Sequence, residues 1–235
     1  MKQQIKRLNY LLVKHFGIPD RQKKLPNPVD ALIATILSQN TNDKNSYQAY
    51  KNLKKKFKVW QEVADAPRYK IENAIKVAGL GKQKSAAIKN FFNQLKKKKG
   101  RLNLNYIKKL NDKDILNHLT SINGIGIKTA SCVLLFSLDR NVCPVDTHVH
   151  RTLNRIGLVR TASPEKTFYE IDGHLSDGTA HQFHTNLIKL GKEICKAQKP
   201  LCSVCPLLKT CKFKKKNLAK IITRESENFL LLDSI

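Results

Sequence analysis

The sequence predicts an all-α protein, and three observations carry that expectation. Apolar residues recur at helical spacing through nearly every segment. No stretch alternates persistently at period two, so no strand is expected. Short turns marked by glycine, proline or asparagine separate the helical segments. A chain of 235 residues is long enough for one large or two small domains with real cores.

Lys2 to His15 reads as a basic amphipathic helix with Ile5, Leu8 and Leu12 on one face, an ordinary packed helix in preference to a transit peptide. A turn-rich linker, GIPDRQKKLPNP, comes next. Val29 to Ser38 is apolar nearly all round and is expected to be buried. The polar cluster Gln39 to Asp43 caps a helix over Lys44 to Phe57. Its amides also suit base edges. Val59 to Ala64 and Arg68 to Val77 read as two further helices, the second preceded by Pro67. Gly79-Leu80-Gly81 forms a glycine turn before a helix with Lys82 and Lys84 in its first turn. Leu80, an apolar residue at a turn tip, is either buried or a wedge between bases. Lys96 to Lys99 with Gly100 reads as a solvated charged loop. Asn111 or Asp112 caps a short helix running to Leu119.

The stretch from Leu119 to Asp146 draws the most attention. Gly124 and Gly126 flank Ile125 between two helical patterns, which makes a helix-hairpin-helix. The second helix begins near Gly126, where free backbone N–H groups and the positive dipole end form an anion site suited to a phosphate. Lys128 lies in its first turn, and Asp146 opens the next helix, which carries Arg151 and Arg155 to Ile156. Ser163-Pro164 caps another helix, and His181 to Cys195 forms one more.

Charge points to a partner. The chain carries 44 Lys+Arg against 18 Asp+Glu, a net +26, which solubility alone does not require. A polyanion is implied, nucleic acid first and an anionic membrane surface second. No apolar run is long enough to span a bilayer, and no signal peptide is apparent. Two cysteines, Cys132 and Cys143, lie in apolar surroundings and read as buried. The other four, Cys195, Cys202, Cys205 and Cys211, are spaced C-x6-C-x2-C-x5-C. Four thiolates so placed hold a zinc ion or a [4Fe–4S] cluster, and spacing alone leaves both open. Lysines crowd this segment, among them Lys196, Lys199, Lys209 and Lys212. A metal-stiffened loop of this charge is also a phosphate-binding element.

Taken together, LSQNTND, AGLGKQKS, INGIGIKTA, PVDTHVHR and the cysteine spacing resemble the endonuclease III branch of the helix-hairpin-helix (HhH-GPD) DNA glycosylases, iron–sulfur type. The resemblance spans about Pro28 to Cys211. It implies a six-helix barrel domain over 25–138, an iron–sulfur domain from 1–24 and 139–219, a tail over 220–235, and a DNA-binding cleft between the domains. It implies a [4Fe–4S] cluster on Cys195, Cys202, Cys205 and Cys211. Lys128 matches the family's nucleophile and Asp146 its aspartate. Leu80 falls at the wedge position. Asn40 falls where relatives carry an amide that fills the gap left by a flipped base, with Gln39 its competitor. His148, in the matching motif, is expected to face DNA, and His150 is a further candidate.

The resemblance thus implies a bifunctional DNA glycosylase/AP lyase. It would act as a monomer on double-stranded DNA that holds a damaged base, an oxidised pyrimidine, or an abasic site. The expected location is the cytoplasm, on the nucleoid, with no membrane partner. Gly124, Ile125 and Gly126 would hold a phosphate, and Lys199 the DNA backbone. The flipped nucleotide would meet a neutral Lys128 at C1′. Two alternatives stand beside this: a monofunctional mismatch or adenine glycosylase, and a non-catalytic metal-stapled DNA-binding protein.

Overall fold

A computed structural model describes residues 1–99, 102–219, 232 and 235. All regular structure among the described residues is helical. In chain order the α-helices among them are α1 Lys2–Phe16, α2 Pro28–Ser38, α3 Asp43–Lys56, α4 Trp60–Asp65, α5 Arg68–Ile75, α6 Gly81–Lys99, α7 Asp112–Thr120, α8 Ile127–Leu138, α9 Thr147–Ile156, α10 Pro164–Ile171 and α11 Ala180–Lys189. No helix among the described residues is long and apolar enough to cross a membrane. The expected C-terminal tail lies outside the described residues except at positions 232 and 235.

The described chain divides into two compact units, one of 1–21 with 140–219 and one of 22–99 and 102–139 with 232 and 235. In the second unit α2 is the central helix. Its residues from Pro28 to Leu37 are buried apart from Asp30, as its all-apolar sequence requires. It packs against α8, α3 and α6. Each fully buried Leu or Ile of this helix contributes about 1.5–3 kcal/mol over its exposed state. Phe91 and Phe92 of α6 complete the core, with the Trp60 ring 5.8 Å from that of Phe92. In the other unit α11 packs against α1 and α9, and α10 packs against α9. Leu8, Leu12, Phe168, Phe183 and Leu187 are buried there.

Short polar side chains start the helices. Asn27, Asn42, Asn111, Asp146 and Ser163 each accept a backbone N–H from the first turn of α2, α3, α7, α9 and α10. These caps satisfy donors that have no partner within the helix.

Three segments depart from the sequence reading. Lys96 to Lys99, expected in a loop, continue α6. Lysine is a good helix former, and cations near a helix C-terminus oppose its dipole favourably. The Lys96 ammonium also pairs with Asp65. Gly100, the end of that expected loop, lies outside the described residues. The helix expected over Arg68 to Val77 stops at Ile75 and tightens into a 3₁₀ turn, Lys76–Ala78, that delivers the Gly79 turn. The helix expected to run to Cys195 changes at Leu190–Ile194 into a π-helical turn, closed by the Cys195 N–H on the Leu190 carbonyl at 2.6 Å. Such turns place carbonyls where a regular helix would not.

Candidate functional site

The 22–139 unit holds the hairpin. α7 ends at Thr120 and α8 begins at Ile127. Between them Ile122 and Ile125 are buried, and the Ile125 N–H donates to the Ile122 carbonyl at 3.0 Å. Gly124 has φ 93°, and a Cβ there would stand 2.8 Å from the Ala87 Cβ. Glycine is required twice over, for its backbone conformation and for seating the hairpin against α6. No atom lies within 4 Å of where a Cβ on Gly126 would be, so the backbone there is open to approach. The Ile125 N–H thus has an acceptor within the turn itself.

Gly126 caps α8 without a side-chain bond, unlike the five asparagine, aspartate and serine caps. The first N–H groups of α8 therefore receive no side-chain cap, and such donors at a helix start suit an anion. Lys128, half-buried, is the second residue of this helix.

Two turn tips belong to the same unit. Gln39 caps the C-terminus of α2, and its amide donates to Thr129 Oγ1 at 3.3 Å, beside Lys128 in sequence. Asn40, the next residue, is exposed with φ 49°. Leu80 has φ 51° and is 44% exposed, so the buried reading of this side chain is overturned. Neither Asn40 nor Leu80 is glycine, and each holds a left-handed conformation that costs about 1–3 kcal/mol.

The other unit holds Asp146, His148 and the cysteines. Asp146 caps α9, its Oδ1 accepting the Val149 N–H at 2.8 Å, which fixes the carboxylate's orientation. His148 is half-buried, with its Nδ1 3.2 Å from Arg151 Nη2 and its Cβ close against Gly191. His150 contacts Thr167 Oγ1 through Nδ1 at 2.7 Å. Arg151 and Arg155, one turn apart on α9, reach forward to the cysteine segment. Arg151 donates to the carbonyls of Cys195 at 3.0 Å and Gly191 at 2.8 Å. Arg155 donates to those of Lys196 at 2.6 Å and Ala197 at 2.8 Å, and lies over the Phe213 ring. The helix that starts at Asp146 is thus tied to the first cysteine. The arginines were visible in the sequence, but their acceptors lie far downstream and are backbone atoms, which carry no residue-type signal.

All four cysteines, Cys195, Cys202, Cys205 and Cys211, line one small pocket, walled by Ile194, Pro200, Leu208 and Phe213. Burial pushes the Cys205 thiol up to about 11. A Leu207 backbone N–H opposes this, and the three neighbouring cysteines add to the rise. Among the described residues no group of three His, Cys, Asp or Glu side chains stands in position to hold a metal ion. The four cysteines share the lining of that pocket without forming such a group. A donor set of thiols alone suits zinc or an iron–sulfur centre. Lys199, expected to meet DNA, is exposed with φ 47°, and Lys196, Lys209 and Lys212 line the same segment. Cys132 and Cys143 are buried, as expected.

Comparison with known proteins gives consistent findings. The family model described as HhH-GPD superfamily base excision DNA repair protein matches residues 33–175. A putative DNA glycosylase of Arabidopsis thaliana is 37% identical over 193 residues, 82% of this chain; the match spans only 60% of that relative's length. Endonuclease III of Thermotoga maritima is 34% identical over 202 residues, 86% of this chain and 89% of that protein. A solved structure of a trapped endonuclease III–DNA covalent intermediate superposes with a TM-score of 0.74 at 28% identity, covering 90% of this chain and 96% of that one.

Proposed function

The chain belongs to the endonuclease III branch of the HhH-GPD superfamily of base excision DNA repair proteins, and we propose that it is a bifunctional DNA glycosylase/AP lyase acting on oxidised pyrimidines in duplex DNA. The observation that carries this reading is Lys128 on the first turn of α8, behind a glycine hairpin whose helix start receives no side-chain cap. A phosphate bound at those N–H groups fixes the register of the strand. The trapped covalent intermediate of endonuclease III supports a covalent route here.

In this mechanism the neutral Lys128 amine attacks C1′ of the flipped nucleotide, and the bond from C1′ to the base breaks with its electron pair leaving on the base. Asp146 offsets the positive charge that develops on the sugar. The amine then loses a proton, its lone pair expels the ring oxygen O4′ from C1′, O4′ takes up a proton, and the opened sugar is left joined to Lys128 by a protonated Schiff base. Removal of a C2′ proton then expels the 3′ phosphate by β-elimination. Leu80 and Asn40 hold the gap open; Gln39 is engaged with Thr129, which favours Asn40 for that role.

Cys195, Cys202, Cys205 and Cys211 would hold a [4Fe–4S] cluster. The four cysteines line one pocket, and the likeness to endonuclease III favours a cluster there over a single zinc. When bound, the centre supplies a rigid, redox-active knot, and Lys199 on the loop it stiffens meets a phosphate. Purified protein is expected to contain about four irons and to absorb broadly in the visible. Cys205→Ser is expected to lose most of that iron and to weaken duplex binding roughly 10-fold at fixed salt, the worth of a few phosphate contacts. Full iron content in that variant contradicts the ligand assignment.

A panel of duplexes, each with one damaged base, tests the reading as a whole. Base release with strand cleavage on oxidised pyrimidines is expected. Base release that needs added alkali for cleavage makes the protein monofunctional. No turnover on any lesion leaves only a DNA-binding protein.

A further inference from the structure

One buried charge is not used by this mechanism. Lys84 of α6 is 2% exposed, and its ammonium donates to two backbone carbonyls, those of Leu37 and Ala78, each at 2.8 Å. Burial pushes the amine down to about 8. Enclosing an ammonium is costly unless strong acceptors meet it. Both acceptors lie at helix ends. Leu37 is the penultimate residue of α2, and Ala78 is the last of the 3₁₀ turn. Such terminal carbonyls lack partners within their own helices and favour a cation.

Each carbonyl stands just before a turn tip. Asn40 comes three residues after Leu37, and Leu80 comes two after Ala78. Both tips are exposed and left-handed. A single ammonium therefore anchors the bases of both strained tips. We propose that Lys84 is a positioning residue that locks the Gln39–Asn40 tip and the Gly79–Leu80–Gly81 turn into one two-pronged unit, so that both prongs enter the duplex together. The proposal rests on the glycosylase reading above, and it separates Lys84 from Lys128: one lysine arranges the gap, the other does the chemistry.

Lys84→Met keeps the stem's volume and removes the charge. The test measures three quantities at matched helix content. Single-turnover base release from a duplex is expected to fall ~10- to 100-fold, the size of effect that small misplacements cause. The fluorescence rise of 2-aminopurine placed opposite a stable abasic analogue, which reports unstacking by the prongs, is expected to be lost. Cleavage of a single-stranded abasic oligonucleotide, which has no opposite strand to hold apart, is expected to stay within about 2-fold. The double variant with Leu80→Ala is expected to be no more than about 2-fold slower than Leu80→Ala alone, because the two prongs act as one unit that either substitution disables.

Unchanged duplex release and fluorescence overturn the proposal. So does an equal loss on the single strand, or full additivity with Leu80→Ala. Should methionine prevent folding, Lys84→Gln keeps a buried donor on a stem too short for both carbonyls. The same selective loss is expected of it, and a parental duplex rate overturns the proposal. If the unaltered protein raises the fluorescence yet releases no base from any duplex, the glycosylase reading fails while the two-pronged unit stands.

Discussion

Lys128→Ala is expected to abolish base release and strand cleavage, with a loss of at least about 10⁴-fold in single-turnover rate. The reason is chemical. No other side chain takes part as the nucleophile at C1′ in the proposed mechanism, so truncation removes the step outright. Binding is expected to change little. Lys128 is one cation in a chain with 44 Lys+Arg. The hairpin backbone is set by Gly124 and the buried Ile122 and Ile125, none of which the substitution touches. Stability should hold as well, since alanine is the best helix former and Lys128 is half-buried at a helix start. Gel shift on a duplex with a stable abasic analogue, beside the rate measurement, separates the two effects. A variant that binds weakly and retains its rate per bound complex would reassign Lys128 to grip.

Asp146→Asn is expected to slow base release roughly 10²- to 10³-fold, the usual worth of one group aimed at developing charge. Asparagine is as good an N-cap as aspartate, so the bond from Val149 N–H to the side-chain oxygen survives. The substitution thus removes the charge and keeps α9, with Arg151 and Arg155 still tied to the cysteine segment. Asp146→Ala makes the control. It should also lose about 1 kcal/mol of cap stability, readable as a lower Tm. If the asparagine variant releases base at the parental rate, Asp146 is a helix cap and nothing more.

The helical framework was legible in the sequence because local rules decide it. Asn111, Asp146 and Ser163 begin helices through bonds to residues a few positions away. The all-apolar Val29 to Ser38 segment announced its own burial. The hairpin was legible too, since Gly124 sits where no other residue fits. What the sequence hid depends on contacts distant along the chain. Lys84 looks like any basic residue in a first turn; only the fold brings the Leu37 carbonyl, 47 positions away, to its ammonium. The partner of Gln39, Thr129, lies 90 positions on and has no signal near residue 39. Lys96 to Lys99 misled because charge was read as loop, although lysine favours helix and Asp65 lies within reach. The π-helical turn before Cys195 has no local signature at all.

The central claim is that Lys128 forms a covalent bond to the sugar. Incubating the protein with a duplex carrying one oxidised pyrimidine, in the presence of borohydride, reduces any Schiff base to a stable link. Peptide mapping of the adduct by mass spectrometry then identifies the residue. The expected result is a single adduct on the peptide containing Lys128, absent from Lys128→Ala. An adduct on another amine, or strand cleavage with no adduct formed, would contradict it.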